Sequence, residues 1–226
     1  MFVVALVALV GPASANADAA RLNIVATFSI LGDFAKNVGG ERVNVTTLVG
    51  PNSDTHVYTP TPSDAKKITD AKLVIVNGLG LEGWLPRLVK SSGSKAATVV
   101  ATKGIATRKI EDGHSHDPSD ADPHAWQSVV NAKTYVTNIR DALIAADPAG
   151  AEAYNANAAS YLSKLDALDR DVREAVAKIP TERRSVISTH DAFGYFAAAY
   201  GIKFIAPQGV STESEPSARD IAAIIS

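Results

Sequence analysis

Residues 22–49 of this 226-residue chain, LNIVATFSILGDFAKNVGGERVNVTTLV, decide its fold. They begin with a short apolar, β-branched run that predicts a strand. Apolar residues then recur every three or four positions from Ile30 to Val38, which is typical of one face of a helix, and Gly39-Gly40 ends it. Val43–Val49 is a second β-branched run. A strand, a helix and a strand in this order predict the start of a parallel α/β sheet.

The same alternation continues downstream of this stretch. Two further short apolar runs predict strands, and helical patterns lie between and after them. The predicted strands are residues 73–76 and 97–101, and the predicted helices are one from Pro62, one over 81–91 and one over 128–146. This order predicts a mostly parallel sheet with helices on its faces.

Residues 148–179 form the longest periodic segment, and as one helix they would extend about 48 Å. That length predicts a rigid helix shared by two lobes, although a helix packed on one large domain, or two helices with a break, would give the same pattern. Residues 180–226 begin a second α/β unit, with predicted strands over 185–188 and 203–206 and a predicted helix over 191–200 between them, and the chain ends inside another helical pattern. We therefore predict an N-terminal lobe over 18–147, a linking helix over 148–179 and an incomplete C-terminal lobe over 180–226.

The N-terminal residues MFVVALVALVGPASANA have the outline of a secretory signal peptide, predicted here as residues 1–17. A buried first strand is the alternative. No other stretch is long and apolar enough to predict a membrane helix. The chain has no cysteine, which excludes disulfides, cysteine-ligated zinc and a lipid-anchoring cysteine after the signal. These features predict a soluble periplasmic protein.

The overall composition argues against a nucleic-acid-binding protein and against an acidic disordered chain. Charged residues make up 20% of the chain and the net charge is −2, so it lacks the basic footprint of a nucleic-acid-binding protein and the character of an acidic disordered segment. Its hydrophobic fraction of 46% is enough for one large or two small cores.

Three of the five histidines share one kind of position. His56 and His190 follow predicted strands, and ligands of open α/β sheets bind beyond the carboxyl ends of strands. Imidazole is a common ligand of zinc and related ions. An acidic residue near each histidine in sequence could orient its ring, namely Asp54, Asp122 and Asp191. Taken singly, each of His56, His124 and His190 is better explained as an ordinary surface or half-buried histidine. Their spacing matches no local metal motif.

Four segments resemble the zinc- and manganese-binding receptors of bacterial ABC importers, in the order found in that family. They are DTHVYTPTPSD at 54–64, NGLGLEGW at 77–84, DPHAW at 122–126 and HDAFGYF at 190–196. The resemblance extends from about residue 22 to the end of the chain. It implies two α/β lobes joined by one long helix, with the metal bound between them.

The resemblance also implies the ligands. His56 and His124 would come from the first lobe and His190 from the second. Manganese-preferring members have glutamate at this third position, so His190 favours the zinc-type subgroup and Zn²⁺, with Mn²⁺ as the alternative. The family's fourth ligand is an acidic residue expected beyond Ser226, and Glu213 and Glu215 do not match its position. We therefore expect a C-terminally truncated chain with three protein ligands.

The predicted function is that of a monomeric receptor that binds the metal outside the cytoplasmic membrane and delivers it to an ABC permease, without enzymatic activity. His114 and His116 predict either a loop that captures metal weakly or two incidental surface histidines. One alternative is a zinc hydrolase, because three ligands leave an open position, but no H-E-x-x-H is present. Another is an exported adhesion module with a structural metal.

Overall fold

The computed structural model describes residues 21–110, 121–218 and 221–222. The predicted signal peptide at 1–17, His114, His116 and the last four residues lie outside this part of the chain. No helix within the described ranges combines the length and the apolar character that a bilayer crossing requires.

Two parallel sheets carry the fold. The first has four strands in the order β2-β1-β3-β4, and the second has two, β5 and β6. The strands are β1 (Leu22–Phe28), β2 (Val43–Val49), β3 (Leu73–Val76), β4 (Ala97–Val100), β5 (Ser185–Ile187) and β6 (Lys203–Ile205). The helices are α1 (Ser29–Gly39), α2 (Pro62–Thr69), α3 (Leu85–Ser92), α4 (Val129–Ala146), α5 (Ala151–Ala177) and α6 (Gly194–Tyr200).

The four-stranded sheet is covered on both faces, which explains why its central strands are largely apolar and buried. All four residues of β3 are buried, and so are the last five residues of β1. Helices α1, α4 and α5 pack on one face around Tyr135 and Tyr154, and α2 and α3 pack on the other around Ile68. A parallel sheet with helices on both faces requires such continuous apolar strands. We call this sheet with its helices the first lobe.

The second lobe, built from β5, α6 and β6, packs against the end of α5. Val176 of α5 lies in one apolar cluster with Tyr200 and Ile202. The Tyr200 hydroxyl donates a 2.8 Å hydrogen bond to Asp169 of α5, which is also paired with Arg173. The long helix therefore contributes to the cores of both sheets, as the sequence predicts.

The α/β class, the parallel sheets and the long helix are confirmed, while three helix starts differ from the prediction. The long helix begins at Ala151 after a short 3₁₀ turn over Pro148–Gly150, and its 27 residues extend about 40 Å. Helix α3 begins at Leu85 and not at residue 81, because Pro86 occupies its first turn. Helix α6 begins at Gly194 and not at Asp191, because the chain at His190 still pairs with Gln208 in a parallel bridge. The exact lobe boundaries stay a prediction.

Candidate metal centre

The three histidines that the sequence singles out meet at one point. His56 lies in the loop between β2 and α2, His124 precedes α4, and His190 directly follows β5. Although they are 68 and 66 residues apart, the Nε2 atom of His124 lies 3.1 Å from that of His56 and 3.4 Å from that of His190. One ring nitrogen from each histidine lies within 4.8 Å of the others. The first and second lobes together therefore form one triangle of imidazole nitrogens.

The dimensions of this triangle suit a first-row transition metal. Zinc–nitrogen bonds of about 2.0–2.1 Å in tetrahedral geometry place two ligand nitrogens about 3.3 Å apart. The two measured edges, 3.1 and 3.4 Å, bracket that separation. Neutral ring nitrogens whose lone pairs converge this closely repel one another unless a cation lies between them. The triangle therefore has the dimensions that a metal site would need, and the charge of a bound ion would remove the repulsion.

His124 is the most deeply buried of the three candidate ligands. It is 2% exposed, and its Nδ1 lies 2.9 Å from Oδ1 of Asp122, which is itself 4% exposed. The same carboxylate oxygen accepts the backbone N–H of His124 at 2.9 Å. Because the carboxylate accepts from Nδ1–H, the proton lies on Nδ1 and the Nε2 lone pair faces the other histidines. Asp122 thus fixes the tautomer that a metal ligand needs.

The expected pairing of each histidine ring with its neighbouring acid is correct only for Asp122. Asp54 accepts the backbone N–H of His56 at 2.8 Å and shapes the loop without contacting the ring. For Asp191, no hydrogen bond to a histidine ring occurs among the described residues. Burial, reinforced by the charge of nearby Asp122, raises the pKa of Asp191. Sequence proximity was therefore a poor guide to side-chain direction.

Partial burial keeps His56 and His190, the two half-buried corners of the triangle, neutral. Removal from water, together with the neighbouring His124, lowers the pKa of His56 to about 4. Burial, again with His124 as the second cause, lowers the pKa of His190. Both rings are therefore unprotonated at neutral pH, which is the form that coordinates a metal.

Asn77, at the end of β3, holds the segment that carries His124. Its Nδ2 donates to the carbonyl of Pro123 at 2.9 Å, and its Oδ1 accepts from the Tyr135 hydroxyl at 2.6 Å. Thr102 donates to the Asn77 carbonyl at 2.6 Å. One fully buried amide thereby connects the central strand, helix α4 and the residue before His124.

Glu82 lies beside Asn77 and was not identified as a functional residue from the sequence. Its carboxylate accepts from the Thr27 hydroxyl at 2.6 Å and from the backbone N–H groups of Asn77 and Gly78 at 2.7 and 3.1 Å. Burial raises the pKa of Glu82 against the effect of these donors. The signal available in the sequence was its place in the NGLGLEGW segment, where a lone glutamate follows a buried strand.

The loop that carries His56 is held by aromatic side chains. The Trp84 indole donates to the Thr55 carbonyl at 2.8 Å, and the Tyr58 hydroxyl donates to Asp64 at 2.8 Å. Asp64 also accepts from Thr61 in the capping box that begins α2. The loop is therefore fixed on both sides of His56 by contacts to α2 and to the turn before α3.

The triangle lies in a cleft of about 700 Å³ between the two lobes. Phe28, Trp126 and Phe193 provide apolar walls, and the Trp126 ring centroid lies 5.2 Å from that of His124. Glu215 lines the same cleft, but within the described residues the group that can hold an ion consists of the three histidines.

Residues 24–226 match the family model described as the periplasmic component A of the zinc-uptake complex, ZnuA. The chain belongs to the ZnuA family. Members of this family are metal-binding receptors of ABC importers. This confirms the resemblance that the four sequence segments carry, whereas the zinc-type subgroup stays a prediction.

Individual relatives of this ZnuA-family receptor differ in their named metals. It is 36% identical to the manganese-binding lipoprotein MntA of Halalkalibacterium halodurans over 230 residues, which is 99% of this chain and 75% of MntA. It is 38% identical to the iron-binding protein YfeA of Yersinia pestis over 87% of this chain and 62% of YfeA. The periplasmic zinc-binding protein TroA of Treponema pallidum superimposes with a TM-score of 0.83 at 32% identity, covering 91% of this chain and 74% of TroA.

The names of these relatives decide between two predicted classes. All three are named as binding proteins, and a further relative, PsaA of Streptococcus anginosus, 34% identical over 97% of this chain and 74% of PsaA, is named a substrate-binding lipoprotein of a manganese ABC transporter. The prediction of a receptor without catalytic activity is confirmed, and the hydrolase alternative is set aside.

Proposed function

We propose that this protein binds Zn²⁺ through His56, His124 and His190 outside the cytoplasmic membrane and delivers it, as a monomer, to an ABC permease. The observation that carries the proposal is the convergence of three imidazole nitrogens at metal-ligand separations of 3.1 and 3.4 Å. Zinc is the substrate of this receptor, so the site has to bind the ion tightly and later release it.

The choice of zinc rests on the donor atoms. Nitrogen ligands suit zinc, whereas manganese favours carboxylate oxygens. In the second lobe the ligand is His190. Among the described residues, no carboxylate belongs to the group of side chains that could bind the same ion. The relatives named for manganese, iron and zinc make manganese the competing ion to be tested.

Calorimetric titration of the metal-free protein with zinc and with manganese tests this proposal. We expect one zinc ion per chain and weaker binding of manganese. The matched variant replaces His56, His124 and His190 together with alanine and should lose tight binding of both ions. Tight zinc binding that survives in the triple variant, or manganese binding tighter than zinc binding, would contradict the proposal.

Delivery to a permease requires its own experiment. Zinc-loaded protein should stimulate zinc uptake by vesicles that contain an ABC permease able to accept this receptor, and the triple-alanine variant should not. The adhesion alternative predicts instead that the chain binds a surface partner equally well with and without metal.

His114 and His116 are proposed to capture zinc weakly before it reaches the site. A double His114→Ala, His116→Ala variant should load more slowly at low zinc concentration with unchanged equilibrium affinity. An unchanged loading rate would identify the two histidines as incidental.

A further inference from the structure

Residues 208–215 follow β6, and we call this segment the strap. It starts on the backbone of the His190 segment, where the Asp191 N–H bonds to the carbonyls of Gln208 and Gly209 at 3.1 and 3.2 Å. Val210 is 6% exposed and anchors the strap by its side chain. The Gln208 side chain donates to the Ser214 carbonyl at 2.7 Å and closes the strap on itself. One end of the strap is therefore fixed to the segment that carries the second-lobe ligand.

The strap then reaches across the cleft to the loop of His56. The Thr212 hydroxyl donates a 2.6 Å hydrogen bond to Oδ2 of Asp54, a residue 158 positions away in the chain. Oδ1 of the same carboxylate accepts the backbone N–H of His56 at 2.8 Å. Asp54 thus uses one oxygen for the strap and the other for the ligand loop, so Thr212 is coupled to His56 through a single side chain.

A second hydroxyl ties the second lobe to the His124 segment. The Tyr195 hydroxyl donates to the Asp122 carbonyl at 3.0 Å and accepts the Arg108 N–H at 3.0 Å. Tyr195 is 5% exposed and belongs to the apolar core of the first lobe. In contrast, Thr212 and Asp54 line the open cleft. The contact to His124 is therefore internal, whereas the contact to His56 can open without disturbing a core.

We propose that the hydrogen bond from Thr212 to Asp54 is a positioning contact that controls how fast the metal leaves the site. Thr212 does not contact the ion. It holds the His56 loop against the His190 segment, so that His56 separates from the other two ligands only after this bond opens. The inference rests on the proposed metal site and adds to it a residue that regulates release.

Stopped-flow measurement of zinc release into excess chelator tests the inference, with the association rate measured in parallel. Thr212→Val keeps the shape of the side chain and removes the hydroxyl. Since a hydrogen bond to a charged group is lost, we expect release to become about fivefold to tenfold faster. The association rate should change by less than about twofold, because changes within one site act mainly on dissociation.

Three controls separate this role from a general loss of structure. Thr212→Ser retains the hydroxyl and should restore slow release, and Ser214→Ala removes a neighbouring strap hydroxyl and should have no effect. In an Asp54→Ala background, Thr212→Val should add less than about a twofold change, because the acceptor is already absent. Wild-type release rates in Thr212→Val, or equally fast release from Thr212→Ser, would overturn the inference while leaving zinc binding by the wild type intact. Absence of zinc binding by the wild type would instead overturn the proposed function, and this inference with it.

Discussion

His190 is the residue of the second lobe in the histidine triangle, and it contributes one ring nitrogen. Its Nε2 faces that of His124 at 3.4 Å, and its ring lies edge-on to that of His56. The identity of this single donor atom should decide which ion is preferred, because the other two corners are imidazoles whichever metal binds.

Replacing His190 with glutamate should move the preference toward manganese. We expect the ratio of zinc affinity to manganese affinity to fall by at least about tenfold, since an oxygen donor replaces a nitrogen donor. Competition titration with both metals measures this ratio. His190→Gln provides the control, because it removes the nitrogen without adding a carboxylate and should weaken both metals. An unchanged ratio in His190→Glu would mean that another feature of the cleft selects the ion.

The pKa of His56 links the site to acid stability. In the unfolded chain the ring titrates near 6.5, whereas burial and His124 lower its pKa in the folded protein to about 4. Between these values the unfolded state binds more protons, so falling pH favours unfolding. The metal-free protein should therefore lose stability from about pH 6.5 down to about pH 4.

Thermal unfolding of the metal-free protein at several pH values measures this effect. His56→Gln cannot titrate and should show a shallower loss of melting temperature over the same pH range. If the variant and the wild type lose stability in parallel, His56 does not contribute to the acid sensitivity, and other buried groups are responsible.

At the scale of elements, the ends of strands β1 and β3 carry a buried polar network beneath the ligands. Asn77 connects Pro123, Tyr135 and Thr102, and Glu82 accepts the Thr27 hydroxyl. Each side chain of this network is the hydrogen-bond donor or acceptor for another buried group. Removal of one side chain therefore leaves a buried group without its partner.

Asn77→Ala should destabilise the protein by about 3 kcal/mol, because the Pro123 carbonyl and the Tyr135 hydroxyl would lose their partner in a buried site. Metal affinity should fall as well, since Pro123 precedes His124. Urea unfolding of the metal-free protein measures the first effect. Asn44→Ala, on an exposed position of β2, is the matched control and should cost less than about 1 kcal/mol. A small loss in Asn77→Ala would mean that water replaces the amide.

The elements themselves follow closely from local sequence patterns. Short apolar, β-branched runs predict every strand of both sheets, and apolar periodicity predicts the helices, because both patterns lie within successive residues. The network around Glu82 could not be predicted in this way, because its partners lie 5 and 55 residues away and meet only when the sheet forms. The pairing of His190 with Gln208, just before α6, likewise joins residues that no local pattern relates to each other.

At the scale of the whole molecule, helix α5 joins the first core to the second. Tyr154 and Leu165 belong to the cluster of the first lobe, and Val176 belongs to that of the second. The metal triangle also draws on both lobes. That the three histidines meet in one cleft was predictable only through the resemblance of the segments around them, since their separations of 68 and 66 residues carry no local signal.

Binding of an ion by both lobes should stabilise the entire fold. At a free zinc concentration of about 100 times Kd, linkage predicts a gain of about 2.7 kcal/mol. For a chain of this size that gain corresponds to a rise in Tm of about 5–10 °C. Differential scanning calorimetry with zinc, and then with excess chelator, measures the rise and its reversal. The triple-alanine variant should show no shift, and an equal shift in that variant would mean that zinc binds elsewhere.

Two edges of the histidine triangle already have the length that a bound ion requires. The ligands are brought together when the chain folds, so an arriving ion does not have to drive their assembly. Binding of an ion would then cost less ordering free energy than at a site whose ligands the ion has to assemble. If zinc is the cargo, as proposed above, the same saving makes release the less favourable step, and a permease that receives the ion would have to favour the opening of the triangle.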